Sequence, residues 1–138
     1  MHPAQQSWFR KFDFALIRVI VPLWILTGAV FKLWEFTPTT LPKTIRETAH
    51  DLGVDLYVLL PTLIGLEFLA IAVLMFVKPL ARVMAFFMLT VFCMILIGEI
   101  AIGNTSCGCL GSASPSPKVM LGIDGALLLG VIVTSIFT

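Results

Sequence analysis

The stretch RVMAFFMLTVFCMILIGEIAI, Arg82 to Ile102, decides the fold. It carries a charge at its first position and one more, Glu99, close to its end. A bilayer core about 30 Å thick takes about 20 apolar residues of helix to cross. Three further blocks of this kind occur, at 14–34, 56–77 and 119–137, and with 82–102 they fill most of the 138 residues. No length remains for a soluble domain. The composition agrees: 59% of residues are hydrophobic and 12% charged, against about a quarter charged in soluble domains. The expected architecture is all-α: a polytopic membrane protein, one four-transmembrane-helix bundle over residues 1–138.

The connections refine this expectation. The first and longest, Glu35 to Asp55, opens with FTPTTLPK, whose prolines break the helix. It continues as TIRETAHDLGVD, where Leu41, Ile45, Ala49 and Leu52 recur at helical spacing with charges between them. That pattern fits a short interfacial helix in the first outer loop, with an irregular polar loop carrying a few apolar residues as the alternative. The second connection, VKPLAR, is tight, with Pro79 at its turn. The third is NTSCGCLGSASPSPK, with Ser116 placed to cap the fourth helix and Pro117 at its first position. Pro22 and Pro61 are expected to kink their helices. Gly122, Ala126 and Gly130 form a small-residue stripe that suits close packing inside the bundle.

Lysine and arginine in the short loops set orientation. Arg10 and Lys11 precede the first span, Arg18 lies just inside it, and Lys78 and Arg82 flank the second connection. Those sides are expected to be cytoplasmic, placing both termini inside a bacterial-type inner membrane. The first connection and the Cys-Gly-Cys segment then lie on the outer face. The first block is long enough to span and no small-residue cleavage site follows it, so no cleavable signal peptide is expected. No basic run points to nucleic acid; the lipid bilayer is the partner that composition implies.

Outside the cytoplasm disulfides persist. Cys107 and Cys109 flank Gly108, which permits unusual backbone angles. A disulfide across one residue closes a small ring, adds little stability and, if strained and exposed, is oxidising. Three readings remain open for the pair: thiol–disulfide exchange with a partner, a soft-metal site for Cu(I) or Hg(II), and an inert turn clip. Zinc lacks ligands, since there is no second cysteine pair and His2 and His50 are poorly placed. Cys93, mid-span among Phe92, Met94 and Ile95, reads as a small buried hydrophobe.

Ionisable residues at membrane depth usually pair and face the bundle interior. At about 1.5 Å per residue, Lys32, Glu99 and Asp124 fall at similar depth under the cysteine loop, while Glu67 lies near the middle of the second span. A pocket of Lys32, Glu99 and Asp124 is expected there, with lysine favouring thiolate and a carboxylate moving the proton. The plainer alternative is that these groups are packing glue, with Lys32 snorkelling to the surface.

These residues resemble the DoxX-like superfamily, and most closely its branch typified by the methylamine-utilisation protein MauE. The likeness rests on LTGAVFKLWEF with Gly28 and Lys32, LPTLIGLEFLAIAVLM with Glu67, the basic turn KPLAR, and CGCLGS after the third span. Leu110 stands where the family pattern has an aromatic. The resemblance implies a four-helix membrane protein working beside periplasmic thioredoxin-like proteins or disulfide-containing clients. Membership of quinone-coupled assemblies among relatives implies a quinone reached through a partner; no quinone motif or other cofactor is recognisable in the chain itself. Four-helix disulfide generators of the DsbB and vitamin K epoxide reductase type use two cysteine pairs, and this chain has one. The resulting expectation is a redox protein using Cys107 and Cys109, with Lys32, Glu67, Glu99 and Asp124 as its polar interior. The alternatives are a soft-metal carrier and a non-catalytic assembly factor for a redox enzyme.

Overall fold

A computed structural model describes residues 3–108, 110 and 115–137; Cys109 lies outside the described residues. Among the described residues six α-helices follow one another: α1 (Pro3–Ala15), α2 (Val21–Glu35), α3 (Lys43–Asp51), α4 (Leu56–Phe76), α5 (Lys78–Ala101) and α6 (Pro117–Phe137). A π turn, Leu16–Ile20, joins α1 to α2, and a 3-10 turn, Pro38–Thr40, precedes α3. No strand occurs among the described residues. Among the described residues, four helices are long and apolar enough to cross a membrane: Gln5–Glu35, Leu56–Phe76, Lys78–Ala101 and Pro117–Phe137. The protein is a multi-pass membrane protein.

The first spanning rod is longer than the apolar block alone suggests. Polar residues from Gln5 onward continue the helix below Phe14. The π turn sits immediately before Pro22, where the Val21 N–H reaches back to the Leu16 carbonyl. Proline supplies no N–H to the turn beneath it, and a widened turn is one way to absorb that defect. Pro61, by contrast, lies inside an unbroken α4. Pro79 belongs to the first turn of α5, so Val77 alone separates α4 from α5.

Each span is apolar nearly all round, so polarity does not mark its inward face; burial does. In α5 the buried positions are Ala81, Ala85, Leu89, Cys93, Leu96 and Glu99, a single stripe at three- and four-residue steps. The buried stripes of α2, α4 and α6 likewise contain Lys32, Glu67 and Asp124. The outward faces carry large side chains such as Phe31, Leu69, Val83, Phe86 and Leu129, as a lipid-facing surface requires. Hydroxyls on the spans are satisfied within their own helices: Thr27 donates to Leu23 O, Thr62 to Val58 O and Thr90 to Phe86 O.

The rods close a ring. α2 packs on α4, α4 on α5, α5 on α6, and α6 returns to α1 and the π turn but hardly touches α2. At the end bearing the termini the ring is tight. Phe9 stacks on Phe137 at 5.2 Å, and Arg82 bonds Asp13 at 2.8 Å. Arg18 donates to the Met75 carbonyl at 2.8 Å, one of the orphan carbonyls at the C-terminus of α4. Of the small-residue stripe on α6, only Gly130 sits close to another helix: a Cβ there would lie 3.0 Å from Leu16 Cδ2. Gly122 and Ala126 are exposed instead, because α6 turns that face away from its neighbours.

At the opposite end α3 forms as expected, but it packs on α5 and α4 and so closes the bundle there. Leu41 and Ala49 are buried beneath it, whereas Leu52, just past its last turn, is exposed. Asp55 caps α4 by accepting the Tyr57 N–H at 2.9 Å, and α6 begins at Pro117, with the Ser116 Oγ 3.4 Å from the Val119 N–H.

Interior and lipid faces differ sharply between neighbours in sequence. Leu74 is fully buried and Met75 is 46% exposed. Leu74→Ala should lower stability in detergent unfolding by about 2–4 kcal/mol, and Met75→Ala by less than about 1 kcal/mol. Equal losses at the two positions would contradict this helix rotation.

Candidate functional site

The cysteine end of the bundle is organised by buried polar side chains. Lys32 and Glu67 form an ion pair in which both side chains are about nine-tenths buried. The direction of helical side chains explains how a residue near the end of α2 meets one near the middle of α4. Side chains lean toward their helix N-terminus. Lys32 therefore leans into the membrane, and Glu67, on an antiparallel helix, leans out to meet it. Lysine turns inward here and does not snorkel.

Asp124 accepts a hydrogen bond from Trp24 Nε1 at 2.6 Å. This bond spans the place where α2 and α6 scarcely touch. Glu99 has no accessible surface. One of its oxygens accepts the Thr44 N–H at 2.6 Å and the other accepts from Asn104 Nδ2 at 2.6 Å. The helix α3 begins after Pro42 with no side-chain cap of its own. Glu99 supplies that cap from α5, placing an acid at the positive end of α3. Gly98 makes the approach feasible, since a Cβ there would lie 3.3 Å from Thr44 Cγ2.

The expected grouping of Lys32, Glu99 and Asp124 therefore takes a different form. Lys32, Glu67 and Asp124 line one cavity of about 240 Å³, with Trp24, Leu110 and Met120 also in its walls. Glu99 is not in that lining; it is occupied with α3 and with Asn104, three residues before Cys107. Depth along each helix indicated the level of these groups but could not specify their rotation about the bundle axis. Trp24, Thr44 and Asn104 escaped notice in the sequence. An indole mid-span and a Gly-Glu pair facing a proline-led helix were the signals available.

Cys107 is fully buried against Leu96 and Met120, with Trp24, Leu110 and Leu121 at the edge of the same cluster. Gly108 takes φ +64°, and a Cβ there would fall 2.4 Å from the Thr40 carbonyl oxygen. The segment is thus seated on the backbone of Thr40–Pro42, and only glycine fits the seat. Cys93 occupies the inner stripe of α5. Groups of three or more metal-ligating side chains do not occur among the described residues.

A family model described as methylamine utilisation protein MauE matches residues 10–138 of the chain. The chain belongs to the MauE family. The match extends over the four apolar spans and the Cys-Gly-Cys segment. No curated protein and no solved structure matches the chain.

Two outcomes test this geometry. Lys32→Met or Glu67→Met alone should cost about 3–5 kcal/mol, while the double replacement returns close to the native value, because an unpaired buried charge costs more than a buried pair. Detergent unfolding measures this cycle. Glu99→Gln exchanges a charged acceptor for a neutral one and should raise the rate of maleimide labelling at Cys107, after reduction, about fivefold or more. Gly108→Ala should act in the same direction, and unchanged rates in both would dissociate Glu99 and Gly108 from seating the segment.

Proposed function

We propose that this MauE family member is a membrane thiol–disulfide redox protein. It exchanges through Cys107 and Cys109 with a thioredoxin-like or disulfide-containing protein on the periplasmic side of a bacterial inner membrane, with both chain termini in the cytoplasm. The observation that carries the reading is the tailored seat of the Cys-Gly-Cys segment. Gly108 is in a left-handed conformation, pressed onto Thr40, and Cys107 is held against Met120, which also lines the cavity that contains Lys32, Glu67 and Asp124. A simple surface turn requires no such seat. The family's link to methylamine utilisation supports the reading that the exchange serves maturation of a redox enzyme used in that metabolism.

The chemistry balances within the two proteins. A thiolate of the partner's dithiol attacks the Cys107–Cys109 disulfide, forming a mixed disulfide and releasing one cysteine of the pair as thiolate. The partner's second thiolate then attacks the mixed disulfide. The partner leaves oxidised, this chain holds two thiols, and two electrons have passed with their protons. The reverse direction uses the same steps. Cys107 is the sulfur nearer to α5 and is favoured as the one that joins the mixed disulfide. Because it is buried, exchange requires the segment to rise from Thr40–Pro42. Glu99, which holds α3 and Asn104, is a positioning residue for that movement. Lys32, Glu67 and Asp124 form the polar interior beneath the pair and set the field in which thiolate forms.

Trapping tests the proposal. In intact cells, Cys109→Ser should accumulate a mixed disulfide between Cys107 and a partner, visible as a reductant-sensitive band and absent from the double serine variant. Membrane-impermeant maleimide should label the native protein from outside after mild reduction. Full activity of the double serine variant would leave an assembly-factor role in place of exchange. A pair that stays reduced in air and tightly binds Cu(I) would make the protein a soft-metal carrier.

A further inference from the structure

The cavity beside the cysteine segment contains an unused hydrogen-bond acceptor. Glu67 Oε1 is taken by Lys32, but Glu67 Oε2 is buried and has no hydrogen-bond partner among the described residues. Glu67 is 7% exposed and lines the cavity of about 240 Å³. A buried carboxylate oxygen without a donor is costly and rarely left so. The remaining walls are almost entirely hydrocarbon, including Ile25, Leu63, Val91 and Phe92. Water at that oxygen would find few further partners there, whereas ordered buried water normally makes about three hydrogen bonds.

The cavity also has a way in. Leu66 and Phe87 line the cavity and are 49% and 57% exposed. Both sit near the middle of their spans, at the depth of the hydrocarbon. A molecule dissolved in the bilayer can therefore reach the cavity sideways, between α4 and α5. Lys32 and Glu67 neutralise one another, and Asp124 already accepts from Trp24. A charged guest would lose its hydration in apolar walls with little return.

We infer that this cavity is a binding site for a neutral, lipid-soluble molecule bearing a hydroxyl group, which donates to Glu67 Oε2 while its hydrocarbon fills the apolar walls. The site is independent of the exchange reading for the cysteines. It adjoins them through Leu110 and Met120, since Met120 touches both the cavity and Cys107.

The test uses full-length protein in nanodiscs with Trp8→Phe and Trp34→Phe, so that emission reports Trp24 in the cavity wall. The probes are 4-pentylphenol, its methyl ether 4-pentylanisole, which lacks the donor, and pentylammonium; empty nanodiscs correct for partitioning. The phenol should bind saturably and at least about tenfold tighter than the ether, the difference made by one hydrogen bond to a charged acceptor. The paired replacement Lys32→Met with Glu67→Met removes the acceptor without orphaning a charge. It should keep ether binding and lose the preference for phenol. Val91→Phe fills the cavity without adding a second indole and should abolish saturable binding of both, with unchanged elution and unfolding as the check on folding. Equal affinities for phenol and ether overturn the inference. So does a preference that survives the paired replacement, binding that survives Val91→Phe, or tighter binding of pentylammonium than of the phenol.

Discussion

Glu99 has no accessible surface, and its two oxygens hold two different segments at one end of the bundle. One caps a helix that has no cap of its own; the other holds the chain just before Cys107. A carboxylate in such a place is tolerated only because both oxygens are satisfied by donors. The arrangement makes α3, the end of α5 and the cysteine segment interdependent. Loosening any one of them exposes the polar groups that secure the other two.

The rest of that end follows from the way the ring of spans is closed. α6 leans on α1 and the π turn and leaves α2 almost alone. The cavity lies among α2, α4 and α5 and reaches α6 at Met120 and Asp124, with the bond from Trp24 to Asp124 and the pair of Lys32 and Glu67 in its walls. In a bilayer the hydrophobic effect does not drive helices together, so packing and interhelical polar contacts decide where they meet. Here the polar contacts gather at the cysteine end, while the opposite end is fastened by aromatic stacking and by Arg18 and Arg82.

Span number and the short α3 were legible in the sequence because length and apolarity leave few alternatives. The rotation of each span was not. With hydrocarbon on every side, α4 gives no periodic signal. Its one acid was the only pointer to its inner face, and the same holds for Lys32, Glu99 and Asp124 on theirs. Their levels were readable from residue counts. Their partners depended on side-chain lean, which carried Lys32 to Glu67, and on a proline-led helix whose bare N-terminus drew Glu99 away from the cavity. The role of Gly108 was half legible. Its conformational freedom could be read from the sequence, but its pressure on the Thr40 carbonyl depends on a contact across some 70 residues.

The burial of Cys107 has a consequence for durability. Peroxide and other small oxidants attack sulfur they can touch, and over-oxidised cysteine beyond the sulfenic stage is largely lost to further turnover. A sulfur shut behind Leu96 and Met120 meets such agents only while the segment is raised. Under the proposed exchange the docked state is a storage form, and wear at Cys107 should scale with the time the segment spends raised.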